Sequence, residues 1–301
     1  MGNAKYINVG ESMSVPDVIR IEPSGACNLH CIHCPTGTEQ LKDRGIMSND
    51  TFDIIMKNLE NNVPRVAVMY HGGEPFLCKD LCDWIVRLKG IGVQYIKTDT
   101  NGTMLNDSII KKIIHSGIDL VEVSIDGQSP EENDFIRRGS NCRETISNVK
   151  KLIELKGKLN SVTPSVLISN AQFNGNNNLG KPDIPAFLLE AFKDSVSYQS
   201  MYMIAWSWQK TSGNPPAYHV KNNYCPFINE TMTVRWNGDV VPCCHDIMSE
   251  YVMGNIHESS LEDIREGNLF KIIATGIREG NPVGLCENCF RGGIICEVDK
   301  H

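Results

Sequence analysis

From Val18 to about residue 204 the chain alternates β-prone runs with helix-length amphipathic stretches, and that order leaves few folds open. The run Val18-Ile19-Arg20-Ile21-Glu22 predicts a first strand ending in a Pro-Ser-Gly turn. Asn49 and Asp50 are placed to cap a helix whose apolar residues, Phe52, Ile55, Met56 and Leu59, repeat with a 3.6-residue period. Strand Val66–Tyr70, helix 79–89, strand Gln94–Lys97, helix 106–116, strand Leu120–Ser124 and helix 143–156 follow in turn. A strand at Pro164–Ile168, a helix around Phe187–Phe192 and a strand within 195–204 complete the series. Strands separated by helices pair in parallel, because parallel neighbours need a crossover connection. About six such units are too few for a closed eight-stranded barrel. The fold class predicted is α/β, a partial, open (β/α)6 barrel, with chemistry at the carboxyl ends of its strands.

From about Trp206 the pattern changes. Residues 208–224 read as a loop, and Asn237-Gly238 between Thr231–Arg235 and Val240–Val241 is a hairpin signal. Ser260-Leu261-Glu262-Asp263 opens a short helix. Two units are expected, 1–205 for the barrel and 206–301 for a small C-terminal domain.

The 29 Lys and Arg against 36 Asp and Glu give a net charge of −7, which argues against nucleic acid or an anionic membrane as partner. No apolar run reaches the ~18 residues of a membrane span. Met1–Pro16 has no apolar core of a signal peptide, so a cytoplasmic location is expected. Twelve cysteines in such a chain point to metal or redox chemistry rather than a disulfide frame. They are grouped: three at Cys27, Cys31 and Cys34, and six between Cys225 and Cys296.

Cys27-x3-Cys31-x2-Cys34 puts three thiols on one loop after the first strand. A four-iron cluster takes one ligand per iron, so three cysteines leave one iron open to another ligand. Zinc, with His30 or His33 as fourth ligand, is the competing reading, and inert thiols a third. The loop Cys27-Asn28-Leu29-His30-Cys31-Ile32-His33-Cys34 resembles the signature of radical S-adenosylmethionine (SAM) enzymes. That resemblance implies a 4Fe-4S cluster whose open iron binds SAM and cleaves it to a 5′-deoxyadenosyl radical. His33 stands where the family usually carries an aromatic residue against adenine.

Gly72-Gly73-Glu74-Pro75, after the second strand, resembles the family segment that receives the methionyl ammonium. Glycines permit close backbone approach there, and carbonyls beside a carboxylate suit a cation. The resemblance further implies Ser124 or Asp126, in Ser124-Ile125-Asp126-Gly127, as a ribose contact, and Arg137 as partner of the SAM carboxylate. Asn101 reads as a ribose contact or a turn residue. Arg137 reads equally as a solvated charge.

Cys225, Cys243, Cys286 and Cys289 resemble the ligand set of a SPASM/twitch appendage. They imply a small twitch-type iron-sulfur domain with one auxiliary 4Fe-4S cluster, a structural zinc knuckle being the alternative. Cys296 follows at the wrong spacing, and Cys78, Cys82 and Cys142 read as packing residues. Cys244 is either a hydrogen-atom donor to a substrate radical or inert. The pattern is most similar to aminocyclitol dehydrogenase members of the family. It implies hydrogen abstraction from a carbinol carbon of a small polyhydroxylated substrate, a sugar or aminocyclitol, and oxidation to a ketone with the auxiliary cluster as electron acceptor. Candidate bases are His245, Lys210 and His219. The alternatives are a radical epimerase using Cys244, a peptide-modifying maturase, and a non-catalytic iron-sulfur or zinc protein. A reductant such as flavodoxin or ferredoxin is the expected protein partner.

Overall fold

Nine strands form one sheet in the order β6-β5-β4-β3-β2-β1-β7-β8-β9. They belong to a computed structural model that describes residues 16–38, 40–173, 181–203 and 223–287. The barrel half runs β1 (Val18–Ile21), α1 (Asn49–Leu59), β2 (Val66–Val68), α2 (Leu81–Gly90), β3 (Tyr95–Thr100), α3 (Asp107–Ser116) and β4 (Leu120–Ser124). It continues through α4 (Pro130–Ile136), α5 (Cys142–Lys158), β5 (Ser165–Gln172), α6 (Ala186–Phe192) and β6 (Ser197–Tyr202). The six strands β1–β6 are parallel and pair with their sequence neighbours, which is the partial barrel.

The core lies between strands and helices. Ile19, Ile21, Ala67, Ile96, Val121, Val123 and Ile168 meet Phe52, Ile55, Leu59, Trp84, Ile113 and Val149 there. The rings of Phe52 and Trp84 stack with centroids 4.5 Å apart and 6° between planes. The Trp84 indole N–H donates to Asn49 Oδ1 at 2.8 Å.

Several boundaries differ from the sequence reading. Ser48, not Asn49 or Asp50, caps α1, its side chain accepting from the Thr51 N–H. Asn49 is instead pulled toward Trp84. Cys78 precedes α2 and only Cys82 lies in it, both buried. β3 extends three residues beyond Lys97 because the polar Thr98-Asp99-Thr100 are satisfied in place. Thr98 Oγ1 donates to the Met69 carbonyl at 2.8 Å. α4 was not anticipated. Ser129 caps it through the Glu132 N–H, with Pro130 in its first turn.

The C-terminal part consists of α7 (Pro226–Glu230), β7 (Thr231–Val234), β8 (Asp239–Val241), β9 (Gly254–Asn255), α8 (Leu261–Arg265) and α9 (Asn268–Arg278). The hairpin turns at Asn237-Gly238, and Gly238 has φ +88°. Its first strand is not separate from the barrel. β7 lies parallel to β1, from Val18↔Thr231 to Ile21↔Val234. A second small core gathers Ile228, Ile273 and Ile277, with Cys225 and Cys286 packed against it. α9, also unanticipated, contributes two of those three isoleucines. Among the described residues no helix is long and apolar enough to cross a membrane.

Candidate functional site

β1 launches the cysteine loop at the carboxyl edge of the sheet, and four other segments close on it. The Glu74 N–H donates to the Ala26 carbonyl at 2.8 Å, and Thr36 Oγ1 donates to the Gly72 carbonyl at 2.6 Å. A Cβ on Gly73 would stand 2.3 Å from the Ala26 oxygen and 2.4 Å from that of Ser24. Glycine at 73 is therefore required by the approach of the two loops. From the other side, the His30 N–H donates to the Arg138 carbonyl at 2.8 Å and the Ile32 N–H to that of Ile136 at 3.0 Å. The end of α4 thus braces the loop through backbone carbonyls.

Asn101 Nδ2 reaches Asn28 Oδ1 at 2.9 Å and approaches Cys27 Sγ at 3.8 Å. The Leu29 N–H also points to Cys27 Sγ, at 3.4 Å. N–H donors directed at sulfur stabilise a metal-bound thiolate or cluster. Burial pushes the Cys27 thiol up and the Cys31 thiol to about 12, so metal entry must displace protons. Among the described residues no three His, Cys, Asp or Glu side chains gather closely enough for a single ion. Three thiols on one loop suit a larger, several-iron group.

Glu74 has a different setting from that read in its motif. Its carboxylate is buried and accepts from Thr100 Oγ1 (2.7 Å), Phe76 N–H (3.1 Å) and Asn101 N–H (2.8 Å). It locks the Gly72–Pro75 loop to the end of β3, so the carboxylate is spent within the protein. Pro75 begins a buried single-turn helix. Asp126 and Arg137 form a buried pair, Nε to Oδ2 2.6 Å. Burial opposes the Arg137 charge, but Asp126 and Cys31 outweigh it and raise its pKa. His33 lies in the same region, its pKa lowered by burial.

Ser124 donates to Asp99 Oδ1 at 2.9 Å. Asp99 belongs to a set that motif reading missed. Arg20, Lys97, Asp99 and Glu122 alternate with the core residues of β1, β3 and β4 and occupy the sheet's opposite, lumen face. Lys97 Nζ is 3.8 Å from Glu122 Oε2, and the Arg20 guanidinium sits 4.9 Å from the Tyr70 ring centre. Arg20 is buried with Nε unpartnered. Burial, with Glu122 second, pushes the Asp99 carboxyl to about 8. The available signal was charge inside otherwise apolar strands.

On the C-terminal side, β8 ends two residues before Cys243. Burial pushes the Cys243 thiol far up, and Cys244, Cys286 and Cys225 are near enough to add to the shift. Cys225 and Cys286, expected as auxiliary ligands, pack against the same small core. Cys289 lies outside the described residues, as do Cys296, Lys210 and His219. Burial would raise the Cys244 thiol, but His245 and Arg20 beside it bring it to about 7. His245 is buried and meets Phe227 edge-on at 5.6 Å.

The family model of the radical SAM superfamily matches residues 21–170, and that of an iron-sulfur cluster-binding domain, SPASM, matches residues 225–290. The chain belongs to the radical SAM superfamily. Its cofactors are accordingly SAM, a SAM-binding 4Fe-4S cluster and auxiliary iron-sulfur chemistry in the SPASM part. Among relatives, a tungsten-containing aldehyde ferredoxin oxidoreductase cofactor-modifying protein of Pyrococcus furiosus is 25% identical over 285 residues, 81% of this chain and 79% of its own. A probable GTP 3′,8-cyclase of Methanocaldococcus jannaschii is 29% identical over 147 residues, and the match takes in 48% of this chain and 47% of the cyclase. Radical SAM folds of known structure superpose over most of the chain. BtrN in complex with AdoMet and 2-DOIA gives a TM-score of 0.58 at 18% identity, covering 88% of each chain. Streptococcus suis SuiB bound to S-adenosylmethionine gives 0.62 at 16%, covering 93% of this chain and 73% of SuiB. At these identities the likeness is one of fold.

Proposed function

We propose that this radical SAM enzyme abstracts hydrogen from a carbinol carbon of a small polyhydroxylated substrate, a sugar or aminocyclitol. The hydroxyl then loses its proton, the radical's electron passes to one auxiliary cluster, and the product is a ketone. Cys27, Cys31 and Cys34 hold the first cluster. Cys225, Cys243, Cys286 and Cys289 hold the second, within a C-terminal unit that begins near residue 206. When bound, SAM and the first cluster supply the 5′-deoxyadenosyl radical.

The observation that carries the substrate class is the lumen. Barrel lumens are ordinarily filled by branched apolar side chains. Here Arg20, Lys97, Asp99, Glu122 and Ser124 line it instead. Such a wall suits a small molecule rich in hydroxyl or amino groups, since buried polar groups need partners. The remaining lone pair of the Gly72 carbonyl and the Gly73 backbone would receive the methionyl ammonium of SAM. Asn101 and Ser124 stand near its ribose and His33 near its adenine, with Arg137, held by Asp126, facing its carboxylate. His245 is the proposed proton acceptor. A flavodoxin or ferredoxin supplies the electron, in the cytoplasm.

Cys244 favours a second reading, epimerisation. Its thiol is within electrostatic reach of Arg20, a lumen residue, and from there would return a hydrogen atom to the opposite face of the substrate radical. Reduced holoenzyme incubated with sugars and aminocyclitols in deuterated water separates the two. A product lighter by two hydrogens supports oxidation. Deuterium at carbon, lost in Cys244→Ala, supports epimerisation. Cleavage of SAM without attack on any such molecule, but with attack on a peptide, would replace both readings with peptide modification.

A further inference from the structure

Glu22, the residue after β1, is 1% exposed and joins three segments that are distant in sequence. Its Oε1 accepts from the Gly72 N–H at 2.8 Å, and its Oε2 from the Trp236 N–H at 3.2 Å. Arg235 Nε stands 3.5 Å from the same Oε2, and its side chain is 2% exposed. On its far side Arg235 reaches the carboxylate and carbonyl of Asp43, at 3.5 and 3.4 Å. The Glu22 N–H donates to the Val234 carbonyl at 2.9 Å, continuing the β1–β7 pairing. The Trp236 indole packs over Gly25 and Gly45, where an added Cβ would lie 2.5 Å and 2.3 Å from its ring.

Both oxygens of the Glu22 carboxylate are taken up by protein donors, which points to a mechanical role. Gly72 is on one side of the carboxylate. On the other is the tip of the hairpin whose return strand, β8, leads to Cys243. Displacing either N–H leaves a buried carboxylate short of a donor, a cost comparable to a lost charge-assisted hydrogen bond. The two loops are thus tied to the two oxygens of one carboxylate.

We propose that Glu22 is a positioning residue that couples SAM binding at the Gly72–Gly73 loop to the auxiliary cluster through the β7–β8 hairpin. The proposal rests on the reading of Gly72–Gly73 as the SAM contact. It predicts that SAM occupancy alters the auxiliary cluster and that the influence is reciprocal.

The test uses anaerobically reconstituted full-length protein, wild type and Glu22→Gln. The auxiliary cluster's EPR signal is assigned by its loss in Cys243→Ala. In wild type, adding SAM shifts that signal and the cluster's midpoint potential. In Glu22→Gln, iron content is retained, SAM affinity falls about fivefold, and the shift at the auxiliary cluster disappears. An unchanged affinity and shift in Glu22→Gln overturns the proposal, as does a wild type whose auxiliary cluster ignores SAM. If Glu22→Gln fails to load iron, Arg235→Gln takes its place, with the same loss of shift expected. If neither loads both clusters, the cluster serves folding alone and the proposal falls. Wild-type affinity in Gly73→Ala would instead indict the SAM-contact reading.

Discussion

Arg137 donates from Nε to Asp126 Oδ2 at 2.6 Å, with the two side chains 13% and 3% exposed. The pair joins the end of α4 to the loop after β4, and Asp126 Oδ1 also accepts the Ala171 N–H at 3.0 Å. Replacing Asp126 by Ala strands a buried guanidinium. We expect a loss of about 3–5 kcal/mol in unfolding free energy, read by anaerobic denaturant titration. SAM binding should weaken as well, because Arg138 and Ile136 brace the cysteine loop from the same turn.

Gly73→Ala should abolish SAM cleavage. The added carbon would collide with two carbonyl oxygens that cannot retreat without moving Cys27. Gly157→Ala is the contrasting case. Gly157 lies within α5 with nothing within 4 Å of an added Cβ, and the change should stabilise the protein by about 0.5–1 kcal/mol. Release of 5′-deoxyadenosine and thermal unfolding, measured on both variants, check the pair.

Asp99 gives the folded protein a pH dependence. Its carboxyl is pushed to about 8 by burial, with Glu122 adding to the shift, whereas an unfolded aspartate titrates near about 4. Between those values the unfolded chain has released the proton that the folded chain keeps. This contribution is complete below about pH 4 and is lost as pH rises toward 8. Asp99→Asn should flatten that decline and still accept from Ser124. Stability of the two proteins at pH 5, 6.5 and 8 tests it, and parallel curves would refute it.

Phe52→Ala removes one half of the Phe52–Trp84 stack in the main core. It should cost about 3–5 kcal/mol without changing iron content, which chemical denaturation and iron assay resolve.

Cys31→Ala should lose the SAM-binding cluster and all SAM cleavage. Cys286→Ala should lose only auxiliary iron and keep part of the cleavage. Wild type should carry about eight irons per chain. Iron and sulfide assays with EPR distinguish the sets.

The barrel was legible because its signals are local. Apolar periodicity marks α1, α3 and α5, and the alternation of strand and helix dictates parallel pairing. β3 was read too short because Thr98 and Thr100 look like solvent-facing polar residues. Their partners, the Met69 carbonyl and the Glu74 carboxylate, lie on other segments. α4 had its cap, proline and acidic first turn in plain view at Ser129–Glu132, but seven residues carry little periodicity. The thiols and the double glycine stood out as motifs. Glu22, Arg235 and the lumen charges did not, because a single charged residue in a strand acquires its meaning only from neighbours far along the chain.

The side-by-side seating of β1 and β7 also bears on how the molecule is assembled. Glu22 and Trp236 are 214 positions apart, so during synthesis the strand that leads to the first thiols waits with one edge unsatisfied until the hairpin has been made. Such distant pairing is slow to form. Iron delivery to Cys27, Cys31 and Cys34 should therefore be a late event, requiring a chain already folded back upon its own beginning.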